Sequence, residues 1–290
     1  MVGDIDSVNH VGLAVRDLDA ASALYERLGF TLTPLSMHKG SMKPGEPEVP
    51  YGTGNRCAVF GKNYLEILAH VDKTRFDFGM GDFLCRHEGA HIICFGCNDA
   101  TVVNDRVRAA GIGTSGVIPL QRDLGTPEGV RTAKFECVHF DRAATPEGLI
   151  QAAHHVTPQY IHQERYIHHP NGVVALSDVY LSVTDADAVE SRYEKLAGRK
   201  AVRRGRRRVF ELPQVSRVSI IDANDIASEL PGSTYPQPPC LAGYAFAVKD
   251  LARMERILME QKVPFHREPA RLVVPASAMF GATVVFETAP

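Results

Sequence analysis

Apolar and polar residues recur along the chain in one repeated order, an apolar strand followed at once by an amphipathic helix. The first copy begins at His10 in the sequence NHVGLAVRDL and continues into a predicted helix over residues 19–28, where Gly29 provides a stop signal. Further copies begin at His91, Asp178 and Gly243. The last copy contains AVKDL where the first contains AVRDL, so the pattern indicates four repeated units.

Strand-like segments with glycine-containing turns fill the chain between each helix and the next copy. Each unit therefore consists of a strand, a helix and about three further strands, and its single apolar sheet face needs a partner. We expect an α+β fold in which four βαβββ modules form two pairs. The polar segment 157–171 is the predicted link, which gives domains over residues 1–160 and 161–290.

The composition is that of an ordinary globular chain of 290 residues, with 44% hydrophobic residues and a formal net charge of -2. This balance gives no electrostatic reason to expect nucleic acid or an anionic membrane as a partner. The arginines within residues 203–208 are a local exception, which we interpret as a solvated hairpin in preference to a phosphate-binding patch.

The sequence also bears on the cellular location. No apolar run approaches the roughly 18 residues that a membrane-spanning helix requires, and residues 1–6 lack the pattern of a secretory signal. The cysteines form no dense disulfide framework, and the C-x-x-C pair Cys94 and Cys97 lies in a strand, where the two side chains would point to opposite faces. We therefore expect a cytoplasmic protein with reduced cysteines.

Three motifs give the chain a resemblance to the vicinal oxygen chelate superfamily, and most of all to its bacterial glyoxalase-like members. They are NHV followed by YERLGF within residues 9–30, GTGNR followed by YLEIL within 52–68, and HPNG at 169–172. The superfamily includes glyoxalase I, extradiol ring-cleaving dioxygenases and bleomycin resistance proteins. The resemblance implies that each pair of modules forms a half-open barrel, and that one divalent metal ion (Zn, Fe, Ni, Co or Mn) lies inside a barrel.

The resemblance also implies which residues bind the metal, because the superfamily takes its ligands from the first and last strand of each module. His10 matches the first-strand ligand of the first module, and Glu66 matches its last-strand ligand. His91 matches the first-strand ligand of the second module. Two imidazoles and a carboxylate are a suitable ligand set for these metals. Glu66 also lies among apolar neighbours, where an unpaired carboxylate would be costly.

The fourth ligand position departs from the family pattern. A glutamate is typical four residues after the glycine of a D-P-D-G turn, whereas this chain has TPEG and then Ala152. We predict His154 as the fourth ligand because it has the same strand parity as Ala152. Gln151 would face the barrel if the register moved by one residue, and water is the remaining alternative.

The second pair of modules departs further. Asp178 and Gly243 occupy the first-strand positions, and the last strands offer Ser219 and Glu287. We expect this half to have lost its metal and to act as a structural or substrate-shielding unit.

Three functions are compatible with these features. Overall similarity favours a glyoxalase-like lyase or isomerase that acts on a small substrate with vicinal oxygens through a metal-stabilised enediolate. The alternatives are an Fe(II)-dependent extradiol-type dioxygenase and a non-catalytic protein that sequesters a drug or metabolite. The candidate acids and bases are His154, His139 and His155. The expected partner is a small molecule, and the chain could be a monomer or a homodimer.

Overall fold

The computed structural model describes residues 4–41, 47–214, 216–232 and 235–289. Residues 1–3 of the N-terminal segment considered above lie outside this part. The first of two sheets contains β1 Ile5–Ala14, β2 Ser36–Ser41, β3 Glu48–Val59, β4 Tyr64–His70, β5 Gly89–Cys97, β6 Ile118–Thr126, β7 Gly129–His139 and β8 Leu149–His155. The second contains β9 Val173–Val183, β10 Val202–Arg204, β11 Arg207–Glu211, β12 Arg217–Asp222, β13 Cys240–Val248, β14 His266–Glu268, β15 Arg271–Val274 and β16 Thr283–Thr288. The α-helices are α1 Leu18–Arg27, α2 Met80–Arg86, α3 Ala100–Ala109, α4 Glu164–Ile167, α5 Ala186–Ala197, α6 Ile226–Glu229 and α7 Leu251–Glu260.

Both sheets have the same topology, in which two modules join edge to edge. The order of the first sheet is β2-β3-β4-β1-β5-β8-β7-β6, and its central strands β1 and β5 are antiparallel. Each central strand pairs in parallel with the last strand of its own module, β1 with β4 and β5 with β8. The second sheet repeats this arrangement around β9 and β13. The predicted α+β fold of four paired βαβββ modules is confirmed, and each pair forms one eight-stranded sheet.

An aspartate caps the long helix of every module, where its carboxylate accepts hydrogen bonds from backbone N–H groups of the first turn. The capping residues are Asp17, Asp99, Asp185 and Asp250. The four modules can be aligned on these capping residues. The residue seven positions before the cap is His10, Ile92, Asp178 and Gly243 in turn. The alignment confirms the predicted starts at Asp178 and Gly243 but moves the start of the second module from His91 to Ile92.

The two halves share one hydrophobic core, built from the helices and from one face of each sheet. Phe30 of the first half packs against Phe246 of the second, with the ring centroids 5.0 Å apart. The link between the halves packs on the first sheet, because Ile161 and Tyr166 join a cluster that contains Tyr64. The boundary between residues 160 and 161 stays a prediction. No helix in the described part of the chain is long and apolar enough to span a membrane.

The HPNG motif holds this link against the first half. The His169 ring accepts a hydrogen bond from the Thr31 N–H at 3.0 Å and donates one to the Val59 carbonyl at 3.0 Å. The Asn171 amide donates to the Leu28 carbonyl, just after α1. The motif that contributed to the family resemblance therefore fastens the chain between the two sheets.

The predicted basic hairpin consists of β10 and β11, and each of its five arginines has a carboxylate beside it. The pairs are Arg203–Glu190, Arg204–Glu211, Arg206–Asp225, Arg207–Glu229 and Arg208–Asp187. Local neutralisation of this kind favours the solvated hairpin over a phosphate-binding patch.

Candidate functional site

The inward side of the first sheet carries two rows of aligned residues. Residues opposite each other on neighbouring strands point to the same face of a sheet. One row consists of His139, Gln151, Cys94, His10 and Tyr64. The next row consists of Cys57, Glu66, Gly12, Ile92 and Leu149. This face, called the concave face below, is opposite the one that packs in the shared core.

His10 lies near the centre of the concave face and is 7% exposed. Its ring stacks on Tyr64 at a centroid distance of 4.5 Å, and its Nδ1 lies 2.9 Å from the Asn9 Oδ1. Because a carbonyl oxygen only accepts, Nδ1 carries the proton and Nε2 keeps a lone pair. Burial lowers the pKa of His10 to about 4, against the opposing effect of Glu66. The imidazole is therefore neutral near pH 7, and its Nε2 lies 3.9 Å from the Glu66 Oε2.

Glu66 is held by a small network of polar side chains. The Asn55 amide donates to the Glu66 Oε1. It also donates to the His38 Nε2, and these two nitrogens are 3.0 Å apart. The His38 Nδ1 lies 2.9 Å from the Thr53 hydroxyl. Burial opposes ionisation of Glu66, yet its pKa is lowered because His10, His38, a nearby arginine and the Asn55 amide together favour the carboxylate. Glu66 thus offers Oε2 as a charged oxygen beside the free nitrogen of His10.

The structure does not bring His91 to this pair. Gly12 lies opposite Ile92 and Leu13 lies opposite Ala90, so His91 is an extra residue at a β-bulge. Its ring stacks on Phe83 at 4.9 Å, and its Nε2 donates to the carbonyl of residue 87. Ile92 takes the inward position, where its side chain lies so close to Gly12 that a Cβ there would approach within 2.8 Å.

His154 also lies away from the pair. Its Nδ1 lies 3.1 Å from the Glu136 Oε2, on the opposite face of β8 from Gln151. Gln151 lies opposite Cys94, five residues before the second cap, as Glu66 lies opposite Gly12, five residues before the first. Gln151 therefore corresponds in the second module to Glu66 in the first. No group of three or more His, Cys, Asp or Glu side chains is placed to hold a metal within the described ranges.

The remaining candidate bases face the same side of the sheet. His155 lies near Phe135 and Tyr64, at centroid distances of 4.9 and 6.3 Å, and burial lowers its pKa to about 3. Its Nδ1 is buried and has no hydrogen-bond partner in the described part of the chain. Burial also lowers the pKa of His139, at the far end of the first row. Of the two, His155 has a free ring nitrogen close to Tyr64, which itself contacts His10.

The second sheet has different chemistry at the corresponding positions. Asp178 and Ser219, which correspond to His10 and Glu66, hydrogen-bond directly to each other at 2.9 Å. The Arg217 Nε donates to the same Asp178 oxygen at 2.7 Å. A guanidinium therefore stands beside the carboxylate of this half. Apolar side chains that include Val285 fill the neighbouring positions.

Two surface cavities lie apart from the concave face. One of about 750 Å³ runs between α1 and the second half and is lined by Arg27, His87 and Phe280, among others. The other, of about 240 Å³, lies beside Arg217 and Glu287. Neither includes His10 or Glu66, and shape alone does not identify a reactive site.

A sequence model of the family described as a glyoxalase-like domain matches residues 8–197 of this chain. The matched range begins within β1, contains the rest of the first sheet and continues to the end of α5. A search of curated proteins found no match.

Several solved structures share the fold. A hypothetical protein from Staphylococcus aureus has a TM-score of 0.62 at 13% identity, covering 97% of this chain and 98% of that one. A mutant of 4-hydroxymandelate synthase from Streptomyces coelicolor has a TM-score of 0.62 at 13% identity, with coverage of 99% and 94%. A fusion of a xylose isomerase-like TIM barrel with 4-hydroxyphenylpyruvate dioxygenase has a TM-score of 0.56 at 14% identity, with coverage of 100% and 50%. At these identities the similarity establishes the fold alone.

Proposed function

Because this chain belongs to the glyoxalase-like domain family, of vicinal oxygen chelate type, we propose that it is a divalent-metal-dependent enzyme with His10 and Glu66 as metal ligands. The observation that carries the proposal is the distance of 3.9 Å between the His10 Nε2 and the Glu66 Oε2. The two atoms are too far apart for a hydrogen bond and are held at a separation that suits two donors around one ion.

The protonation states and the surroundings of the two side chains fit a metal. A neutral imidazole and an ionised carboxylate are the forms that bind divalent cations. Asn9 fixes the tautomer of His10, and Asn55 fixes the orientation of Glu66, as outer hydrogen bonds do at metal sites. In the second half, Asp178 corresponds to His10, and its carboxylate already pairs with Arg217.

Other groups near the pair could complete the coordination. Gln151 would contribute an amide oxygen from the position that corresponds to Glu66 in the second module. The His38 Nε2 lies 3.9 Å from the Glu66 Oε1, but its lone pair already accepts a hydrogen bond from the Asn55 amide, so His38 would hold Glu66 in place and not bind the metal. His91 and His154 are not required, and coordination positions remain for the oxygen atoms of a substrate.

We assign the reaction to proton transfer next to a carbonyl, as in a glyoxalase-like lyase or isomerase. The metal would supply Lewis-acid stabilisation of the developing enediolate. His155 would accept and return the proton, because its Nδ1 has no partner within the described residues and its ring centroid lies 6.3 Å from that of Tyr64. Aromatic walls at Phe135 and Tyr64 would exclude water from the reacting carbon.

An Fe(II)-dependent dioxygenase is the second candidate. It is favoured by the shared fold with a protein named 4-hydroxymandelate synthase and with a fusion that contains a 4-hydroxyphenylpyruvate dioxygenase. Consumption of oxygen during turnover would distinguish it from the lyase or isomerase.

The decisive experiment is elemental analysis of protein purified without added metal, and again after reconstitution. We expect about one equivalent of metal in the parent, lost in His10→Ala and Glu66→Gln. His154→Ala is the matched control, a partly exposed histidine of the same sheet, and should retain the metal. A parent that binds no metal after reconstitution, or a His10→Ala variant that keeps it, would overturn the proposal.

A further inference from the structure

Arg122 is a basic residue of the concave face that the metal chemistry does not use. It lies on β6 opposite Ala133, whose side chain belongs to the same cluster as Tyr64. Its guanidinium lies over the Phe135 ring, 5.8 Å from the centroid. It is also close enough to Glu66 that its charge helps to lower the pKa of that carboxyl. The arginine therefore shares the concave face with the proposed metal ligands.

The guanidinium of Arg122 has no carboxylate counter-ion among the residues that the structure describes. Its Nε is buried without a hydrogen-bond partner, and no carboxylate in the described part of the chain forms an ion pair with it. Other arginines of the two sheets are paired, such as Arg56 with Glu26 and Arg271 with Glu268. A buried Nε without a partner leaves a donor unsatisfied, and an anion from outside the chain would satisfy it.

The charged groups of the concave face favour the same conclusion. The Glu66 oxygens lie beside His10 and His38 and not beside the Arg122 guanidinium. A divalent cation bound to Glu66, together with Arg122, would leave an excess of positive charge. A neutral substrate would not balance this excess, whereas an anionic one would.

We infer that the substrate is a small organic anion whose carboxylate or phosphate group pairs with Arg122, while its vicinal oxygens face His10 and Glu66. The planar guanidinium fork matches the geometry of either anionic group. Phe135 and Tyr64 would contact the carbon skeleton between the two ends. The metal-facing half of this inference rests on the proposed function, but the ion pair with Arg122 does not.

Isothermal titration calorimetry with matched probes tests the ion pair. The probes are 3,4-dihydroxybenzoate against its neutral 3,4-dihydroxybenzamide, and dihydroxyacetone phosphate against dihydroxyacetone. We expect at least one anion to bind the parent more tightly than its neutral counterpart, and the tighter anion identifies the carboxylate or the phosphate. Arg122→Gln should weaken that anion by about 10- to 100-fold, the range for a charge-assisted hydrogen bond.

Two further variants make the result specific. Arg122→Lys keeps the charge and should retain part of the preference for the anion, which a purely structural role would not predict. Arg131→Gln removes an exposed arginine of the adjacent strand and should bind the anion as the parent does. The inference is overturned if neither anion binds the parent better than its neutral counterpart, or if Arg122→Gln keeps the full preference.

Running the same titrations on chelator-treated protein separates this inference from the metal. Loss of the preference in Arg122→Gln without metal would support the anion site even if elemental analysis had eliminated the metal. If the metal-loaded parent and metal-loaded Arg122→Gln prefer the anion equally, the anion site is overturned and the metal assignment stands.

Discussion

The hydroxyl groups of Tyr25 and Tyr244 hydrogen-bond to each other inside the shared core, and so connect α1 of the first half to β13 of the second. Both side chains are fully buried. Removing one hydroxyl would leave the other without a partner in an apolar setting, whereas removing both would leave two rings of similar shape.

We therefore expect Tyr25→Phe and Tyr244→Phe each to lower the free energy of unfolding by about 1–3 kcal/mol, and the double variant to lower it by less than the sum. Urea unfolding followed by circular dichroism measures all three variants against the parent. The double variant is the internal control. Strictly additive losses would show that the two hydroxyls do not interact in solution.

Glu147, in the turn before β8, is a second connection between the halves. It is fully buried and accepts hydrogen bonds from Arg192 at 2.8 Å and from the Tyr193 hydroxyl at 2.7 Å, both on α5. Glu147→Ala would leave these partners buried without their anion, so we expect a loss of about 3–5 kcal/mol in unfolding free energy. Glu147→Gln, which can still accept from Tyr193, should lose less.

Glu128→Ala is the matched control for Glu147, because this glutamate is exposed in the turn between β6 and β7. Its unfolding midpoint should equal that of the parent. Equal midpoints for Glu147→Ala and Glu128→Ala would mean that the buried contact between the halves contributes nothing to stability.

The repeated modules could be predicted from the sequence because each one carries the same local signals. Alternating strands and the aspartate before each long helix depend only on neighbouring residues. The short helices α2, α4 and α6 were not predicted, since each is shorter than the periodicity that a sequence pattern needs.

The site was harder to predict because it depends on register. A single extra residue at the bulge in β5 turns His91 away from the concave face and puts Ile92 in its place, and no local sequence signal reveals such a bulge. On β8 strand parity selected His154, whereas Gln151 and His155 are the residues that lie on the concave face. Counting residues from the second helix cap would have placed Gln151 on that face.

His38, Asn55 and Arg122 were not predicted as site residues for a different reason. His38 and Asn55 reach Glu66 through the consecutive hairpins β2–β3 and β3–β4, whose residues have weak local signals. Arg122 comes from β6 of the second module, so only the pairing of distant strands brings it near. The strand patterns of β3 and β4 were visible in the sequence. The sequence does not say, however, which polar residue of β3 would contact the carboxylate of Glu66.

The buried carboxyl of Asp178 should make the stability of the protein fall as the pH rises. Burial, opposed by Arg217 and Arg207, raises the pKa of this carboxyl from 3.8 to about 6. The folded protein therefore holds a proton that the unfolded chain releases at lower pH. This contribution to stability is fully present below the unfolded pKa and is lost as the pH rises through about 6, for a total of about 3 kcal/mol.

Asp178→Asn has no proton to release, so the comparison isolates this group. We expect the unfolding free energy of the parent minus that of the variant to fall by about 3 kcal/mol between about pH 4 and pH 8. Guanidinium chloride unfolding at a series of pH values measures the difference. Asp123→Asn, at an exposed site, is the matched control. A flat or rising difference for Asp178→Asn would contradict the raised pKa.

The affinity of the proposed metal site should depend on Asn9, a residue that does not itself bind the metal. Its side-chain oxygen lies 2.9 Å from the His10 Nδ1 and holds the proton there, so that Nε2 keeps its lone pair toward Glu66. Asn9→Ala frees both the tautomer and the ring orientation, and we expect zinc affinity to fall by about 10- to 100-fold. Asn9→Asp keeps the acceptor and should stay near the parent.

Competition with a chromophoric chelator measures zinc affinity in these variants, and Asn98→Ala, at an exposed turn after β5, is the control. Equal affinities for Asn9→Ala and Asn98→Ala would show that Asn9 does not orient His10. A loss in Asn9→Asp as large as that in Asn9→Ala would assign the effect to packing.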